Sequence, residues 1–218
     1  MPKIELVIFD CDGVLVDSEP LSAKAHNNVY ANHGAKIGPG VFESCIGMKQ
    51  ADILDRIENL TGFRLPAESV PEIWHETRRL MDEFLQPTQG ILDFLQTLDR
   101  ARCVASSSSL ERIHRSLKMT GLAPYFQETS VFSSSMVKRG KPEPDLFLFA
   151  AEKCNVSPEN CVVIEDSQYG VRGAIAAGMQ VVGFAGGSHF TQAMHGSLKI
   201  AGAAQIFDNW NDVRRHLA

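Results

Sequence analysis

An apolar run near the N-terminus, Ile4-Glu5-Leu6-Val7-Ile8-Phe9, stops abruptly at Asp10-Cys11-Asp12-Gly13. The run is short and rich in β-branched and aromatic residues, the composition of a buried strand. Two carboxylates and a glycine pack poorly there, but the carboxyl ends of strands are where open parallel sheets hold ligands. Asp10 and Asp12 are two residues apart, so in extended geometry both side chains project to the same side. One acid of such a pair can serve as nucleophile or metal ligand while the other donates a proton. The competing reading is an Asp-rich turn in which Gly13 supplies a positive φ and the acids cap neighbouring amides. The rest of the chain separates the two.

Helical periodicity dominates residues 21–33, 51–60 and 69–85, punctuated by Gly34, Gly38-Pro39-Gly40, Gly47, Gly62 and Pro66. From Gly90 onward the pattern alternates. Helices are expected at 91–100, 110–120, 145–154, 169–177 and 212–217, interleaved with strands at 103–105, 130–132, 161–164, 180–184 and, weakly, 204–207. Such alternation indicates βαβ units and a parallel sheet with helices on both faces. The first strand joins that sheet most economically if an all-helical block is inserted between the first and second strands. The expected division is an α/β core of residues 1–16 and 88–218 with a helical unit at 17–87.

A chain of 218 residues suits one domain and a smaller companion, at roughly 100–200 residues per domain. With 44% hydrophobic and 22% charged residues it reads as globular rather than disordered. A net charge of −5 argues against nucleic acid or an anionic membrane as the main partner. A small anionic substrate would need local positive charge. Five cysteines without C-x-x-C spacing suit free thiols in a reducing cytoplasm rather than disulfides or zinc. No basic-plus-apolar leader or apolar run of about 18 residues is seen, so neither export nor membrane spanning is expected. A monomer is the default.

Three later strand ends also carry polar residues. Ser106 follows Val104-Ala105; its hydroxyl could donate to a phosphate oxygen, and the amides from Ser107 onward open a helix, a natural anion site. Ser108-x-x-Glu111 matches a capping box, so Ser108 and Ser109 read as helix caps. Lys141, between Gly140 and Pro142, sits on a restrained backbone, where an ammonium can pair with a carboxylate and a phosphate together. The alternative there is a solvated basic turn before a helix starting at Pro144-Asp145. Glu165-Asp166 closes the apolar run Cys161–Ile164. Asp166 is the safer metal ligand, with Glu165 direct or through a water, and Asp166 or Ser167 could instead cap the next helix. Clustered acids raise one another's pKa values unless compensated, and a hard divalent cation with oxygen ligands points to Mg²⁺. Lys141 is the fixed positive charge among these candidates.

With these motifs in order, Phe9-Asp10-Cys11-Asp12-Gly13, Ser106, Lys141-Pro142 and Glu165-Asp166-Ser167, the chain resembles the haloacid-dehalogenase-like phosphohydrolase superfamily. The likeness is to its sugar-phosphate phosphatase and β-phosphoglucomutase branch, along essentially the whole length. The resemblance implies a three-layer Rossmann-like core with a mobile helical cap, and a phosphomonoester substrate. Asp10 would form an aspartyl phosphate and Asp12 would act as acid and base. Mg²⁺ would be held by Asp10, the carbonyl of Asp12 and Asp166, with Ser106 and Lys141 on the transferring group. Gly47-Met48-Lys49-Gln50 matches the family's substrate-facing cap loop, so Lys49 and Gln50 are candidates for the substrate's distal end; Glu19, at the cap hinge, is another. The mutase branch carries a histidine where Ser22 aligns, with His26 one turn further on, which favours hydrolysis. A dehalogenase is disfavoured because Asp12 supplies a second acid which that reaction does not need. A binding module on the same fold is disfavoured because idle clustered acids only cost stability.

Overall fold

The computed structural model describes residues 3–46, 48 and 50–218. Six parallel strands form one sheet in the order β3-β2-β1-β4-β5-β6. They are β1 (Leu6–Phe9), β2 (Ala101–Ser106), β3 (Val131–Ser133), β4 (Cys161–Glu165), β5 (Gln180–Phe184) and β6 (Gln205–Phe207). β1 and β4 are buried along their whole length, which explains why both are continuous apolar runs rather than alternating ones. Strand order reverses at β1, with β2 and β3 on one side and β4 to β6 on the other, so its carboxyl end lies at the topological switch point. Phe9 is in register with Val104 and Ile164, which brings Asp10, Ser106 and Glu165 to the same edge.

The two sheet faces build separate cores, as the period of two dictates. Val7, Phe9, Val104 and Ile164 pack against α5 (Ile91–Thr97), α6 (Leu110–Met119) and α10 (Trp210–Leu217). Leu6, Ile8, Cys103 and Val163 pack against α7 (Asp145–Lys153) and α8 (Gln168–Ala176). α9 (Gln192–Ala201) extends that second layer through Leu198, against Val171 of α8. The result is a three-layer α/β fold. Helix 91–100 of the sequence reading ends early, at Thr97, because the chain must turn into β2. Arg102 takes up the freed carbonyls of Leu95 and Leu98 at 2.7 and 2.6 Å. α9 escaped the sequence reading altogether. Thr191 caps it and Gly202, at φ 110°, ends it, but Gly196 and Ser197 interrupt its apolar face.

Between β1 and α5 lie four helices, α1 (Glu19–Asn32), α2 (Pro39–Glu43), α3 (Gln50–Thr61) and α4 (Val70–Phe84), with a core of their own around Tyr30, Phe42, Ile57 and Ile73. In the sequence α2 shows only as the break Gly38-Pro39-Gly40. α1 buries Ser22, Ala25, His26, Val29 and Tyr30, one face at helical spacing. The two chain segments that join this block to the sheet run side by side: Asp17 N donates to Gln86 O and Thr88 N to Leu15 O. Trp210 fastens them by donating to Thr88 Oγ1, which donates to Val14 O. Among the described residues no helix is long and apolar enough to cross a membrane.

Candidate active site

The sheet edge converges on Asp10. Its amide donates to Ile164 O, and the chain then folds into a tight turn in which Gly13 N donates to Val16 O. Gly13 has φ 75°, and a Cβ there would fall 1.9 Å from Asp166 Oδ2. Glycine is needed both for the backbone and for the close approach of that carboxylate. Lys141, just before a cis proline bond, lies with its Nζ 2.5 Å from Glu165 Oε1 and 2.9 Å from Asp10 Oδ1. The other oxygen of Glu165 accepts from the amide and hydroxyl of Ser167, whose hydroxyl also caps α8.

The electrostatics follow from this packing. Burial would discharge Lys141, but Asp10 and Glu165 outweigh it and hold the ammonium above its ordinary range. Burial pushes Asp10 up, to about 7, against the pull of Lys141. Asp166 is raised by burial as well. Asp12 goes the other way. Burial pushes it up most strongly, but the charge of Arg112 and the hydrogen bonds from Ser108, Ser18 and Arg112 together bring it below its ordinary range. Those donors are Arg112 Nη2 at 2.7 Å and the hydroxyls of Ser18 and Ser108, both at 2.6 Å.

Carboxylate oxygens of Asp10, Glu165 and Asp166 lie within 4.8 Å of one another, a buried group able to hold a cation. Asp10 Oδ1 and Asp166 Oδ2 are buried without an aligned hydrogen bond, although Lys141 and His189 lie near them. Two oxygens in that condition suit a hard divalent cation. Glu165 differs, because Lys141 and Ser167 engage both of its oxygens. In this arrangement it fixes the lysine.

Asp10, Asp12, Glu19, Gln50, Ser106, Ser107, Lys141 and Asp166 line one cavity of about 680 Å³ between the helical block and the sheet. Glu165 is fully buried behind it. Lys49 lies outside the described residues. Ser108 corrects the capping reading: Ser109 caps α6 by accepting from Arg112 N, while Ser108 turns to Asp12. Lys141 is also not the one fixed cation here. Arg112 lines the cavity, and His189 Nε2 lies 3.2 Å from Asp166 Oδ2. Burial alone would lower His189, yet Asp166 and Asp17 raise it to about 10. Gly186-Gly187-Ser188-His189 follows β5, so reading that strand's end as the other four were read would have found it.

The haloacid dehalogenase-like hydrolase family model matches residues 4–178. The 6-phosphogluconate phosphatase of Escherichia coli strain K12 is 32% identical over 197 residues, 89% of each chain. Hexitol phosphatase A of the same organism is 34% identical over 186 residues, 80% of each. A crystal structure of a haloacid dehalogenase-like protein of unknown function from Agrobacterium tumefaciens superposes with a TM-score of 0.89 at 34% identity, covering 98% of this chain and 97% of that one. The matched range includes the strand ends that carry Asp10, Ser106 and Asp166 and the loop that carries Lys141. This chain belongs to the haloacid dehalogenase-like hydrolase family.

Proposed function

We propose that the protein is a Mg²⁺-dependent phosphatase of small phosphomonoesters, sugar or polyol phosphates, working through a phosphorylated Asp10. The observation that carries this reading is Asp10 at the switch point of the sheet, 2.9 Å from Lys141 and facing a polar-floored cavity. The sugar-phosphatase relatives add to it.

An oxygen of Asp10 attacks phosphorus, the bond to the alcohol oxygen breaks, and Asp12 gives that oxygen its proton. Asp12 then takes a proton from water, which attacks phosphorus and breaks the bond to Asp10, releasing phosphate. Two moderate displacements replace one difficult one, and the acid–base help contributes about 10²–10⁴-fold. Lys141 and the Ser106–Ser107 turn hold phosphoryl oxygens. Ser134 Oγ, donating to Ser107 O at 3.0 Å, braces that turn from the end of β3. Asp10, Asp166 and the carbonyl of Asp12 would hold the cation, which when bound neutralises phosphoryl charge. The helical block closes over the substrate and excludes water.

A phosphomutase would return the phosphoryl group to a sugar and would present a histidine at the hinge. His26 is buried in the helical block instead. Its Nδ1 lies 2.8 Å from Ser22 O and its Nε2 3.2 Å from Gln50 Nε2, and burial lowers it to about 4. This favours water as acceptor. The test is phosphate release across sugar, polyol and nucleotide monophosphates, with Mg²⁺ or EDTA. Turnover should need Mg²⁺ and vanish in Asp10→Asn. Undiminished release by that variant sinks the nucleophile, and glucose 6-phosphate formed from β-glucose 1-phosphate would reinstate the mutase.

A further inference from the structure

We propose that Arg112 is a second anion-binding residue of the cleft, selecting phosphate esters whose alcohol portion carries another negative charge, above all a carboxylate. This rests on the phosphatase reading and narrows its substrate class to phosphorylated sugar acids.

Two basic side chains line the cavity among the described residues, Lys141 and Arg112. Lys141 is absorbed by Asp10 and Glu165. Arg112 is not absorbed in that way. Its side chain is 18% exposed, and one hydrogen bond is recorded from its guanidinium, Nη2 to Asp12 Oδ1 at 2.7 Å. Nε is buried without an acceptor. A guanidinium has five N–H donors in a rigid fork that fits a carboxylate through two parallel bonds, so this one is underused.

Ser18 and Ser108 also donate to Asp12, so its oxygens keep two partners when Arg112 turns to a ligand. Among the described residues the helical block faces Arg112 with apolar Phe42, Ile73 and Trp74 and uncharged Gln50 and Thr77, none of which is a second cation. Glu19, the remaining acid near Arg112, is pushed up to about 8 by burial and so does not repel an incoming anion at neutral pH.

Binding is measured by calorimetry on the Asp10→Asn protein with Mg²⁺, so that ligands stay intact. Two matched pairs are compared: 6-phosphogluconate with sorbitol 6-phosphate, and 3-phosphoglycerate with glycerol 3-phosphate. In at least one pair the carboxylated member should bind about 10–100-fold more tightly, the range for charge-assisted hydrogen bonds. Adding Arg112→Gln should bring that ratio within about threefold, while Arg112→Lys keeps part of it. Any general damage to Asp12 affects both members of a pair, so the ratio isolates the anchor. Equal affinities within both pairs, or a preference that survives Arg112→Gln, overturn the proposal. Should Arg112→Gln not fold, the comparison with Arg112 in place still decides. Phosphate release by protein with Asp10 intact is scored separately. Release without a binding preference sinks the Arg112 assignment alone, and a preference without release sinks hydrolysis alone.

Discussion

Lys141 is the residue on which the site's charge balance turns. Its ammonium is almost wholly buried and lies between Asp10 and Glu165, so it compensates two carboxylates that water does not reach. Removing one partner of such a cluster is costly because it strands the rest. Lys141→Met should therefore lower unfolding stability by about 3–5 kcal/mol in urea titrations at neutral pH, besides abolishing phosphate release. A loss of activity with unchanged stability would mean that Asp10 and Glu165 do not depend on the lysine. Asp10 and Glu165 were legible as strand ends; Lys141, expected at a strand end too, lies in the loop eight residues beyond β3 and was legible by its place between Gly140 and Pro142. Ser108 and Arg112 were not, because their partner Asp12 is 96 and 100 positions away. Local reading assigned Ser108 to the nearest helix, where the motif fitted equally well.

Two glycines inside helices show how an element's surroundings decide the sign of one substitution. Gly196 lies within α9 with open space where a Cβ would go. Gly170 lies in the first turn of α8, where a Cβ would fall 1.8 Å from Glu165 Oε1. Alanine in a helix gains roughly 0.5–1 kcal/mol over glycine when nothing obstructs it. Gly196→Ala should raise the unfolding free energy by that amount in urea titrations. Gly170→Ala should instead destabilise by about 1–3 kcal/mol, the range for overpacking, because Glu165 is pinned by Lys141 and Ser167. Equal stabilisation by both would show that Glu165 is free to move. Strands and long helices were readable because burial on one or both faces imprints a period. α9 buries little beyond Leu198 and Ala201, so its apolar signal was weak although both of its end signals, Thr191 and Gly202, were in place.

At the scale of the molecule, the strand order gathers acids from distant segments at one buried edge, and the fold bears the consequence as a pH dependence. Burial raises Asp10 from 3.8 to about 7 and Glu19 from 4.5 to about 8. His189 rises from 6.5 to about 10, because Asp166 and Asp17 overcome the effect of its burial. All three bind protons more tightly in the folded chain than in the unfolded one. Stability from such groups is complete below the unfolded pKa and is lost as pH rises through the folded value. His26 has the opposite sign, lowered from 6.5 to about 4, so its contribution is lost as pH falls through that range and is flat above it. In EDTA the melting temperature should therefore fall steadily between about pH 6.5 and 9.5, and Glu19→Gln should remove the part of the fall that Glu19 contributes below about pH 8, leaving the His189 part above it. A divalent cation on Asp10 and Asp166 favours their ionised forms, so saturating Mg²⁺ should raise the curve most at its alkaline end and flatten it. Thermal unfolding followed by circular dichroism across that range, with and without Mg²⁺, decides the matter. A melting temperature that climbs with pH in EDTA would place the protons elsewhere, and a curve that Mg²⁺ leaves untouched would remove the cation from this cluster.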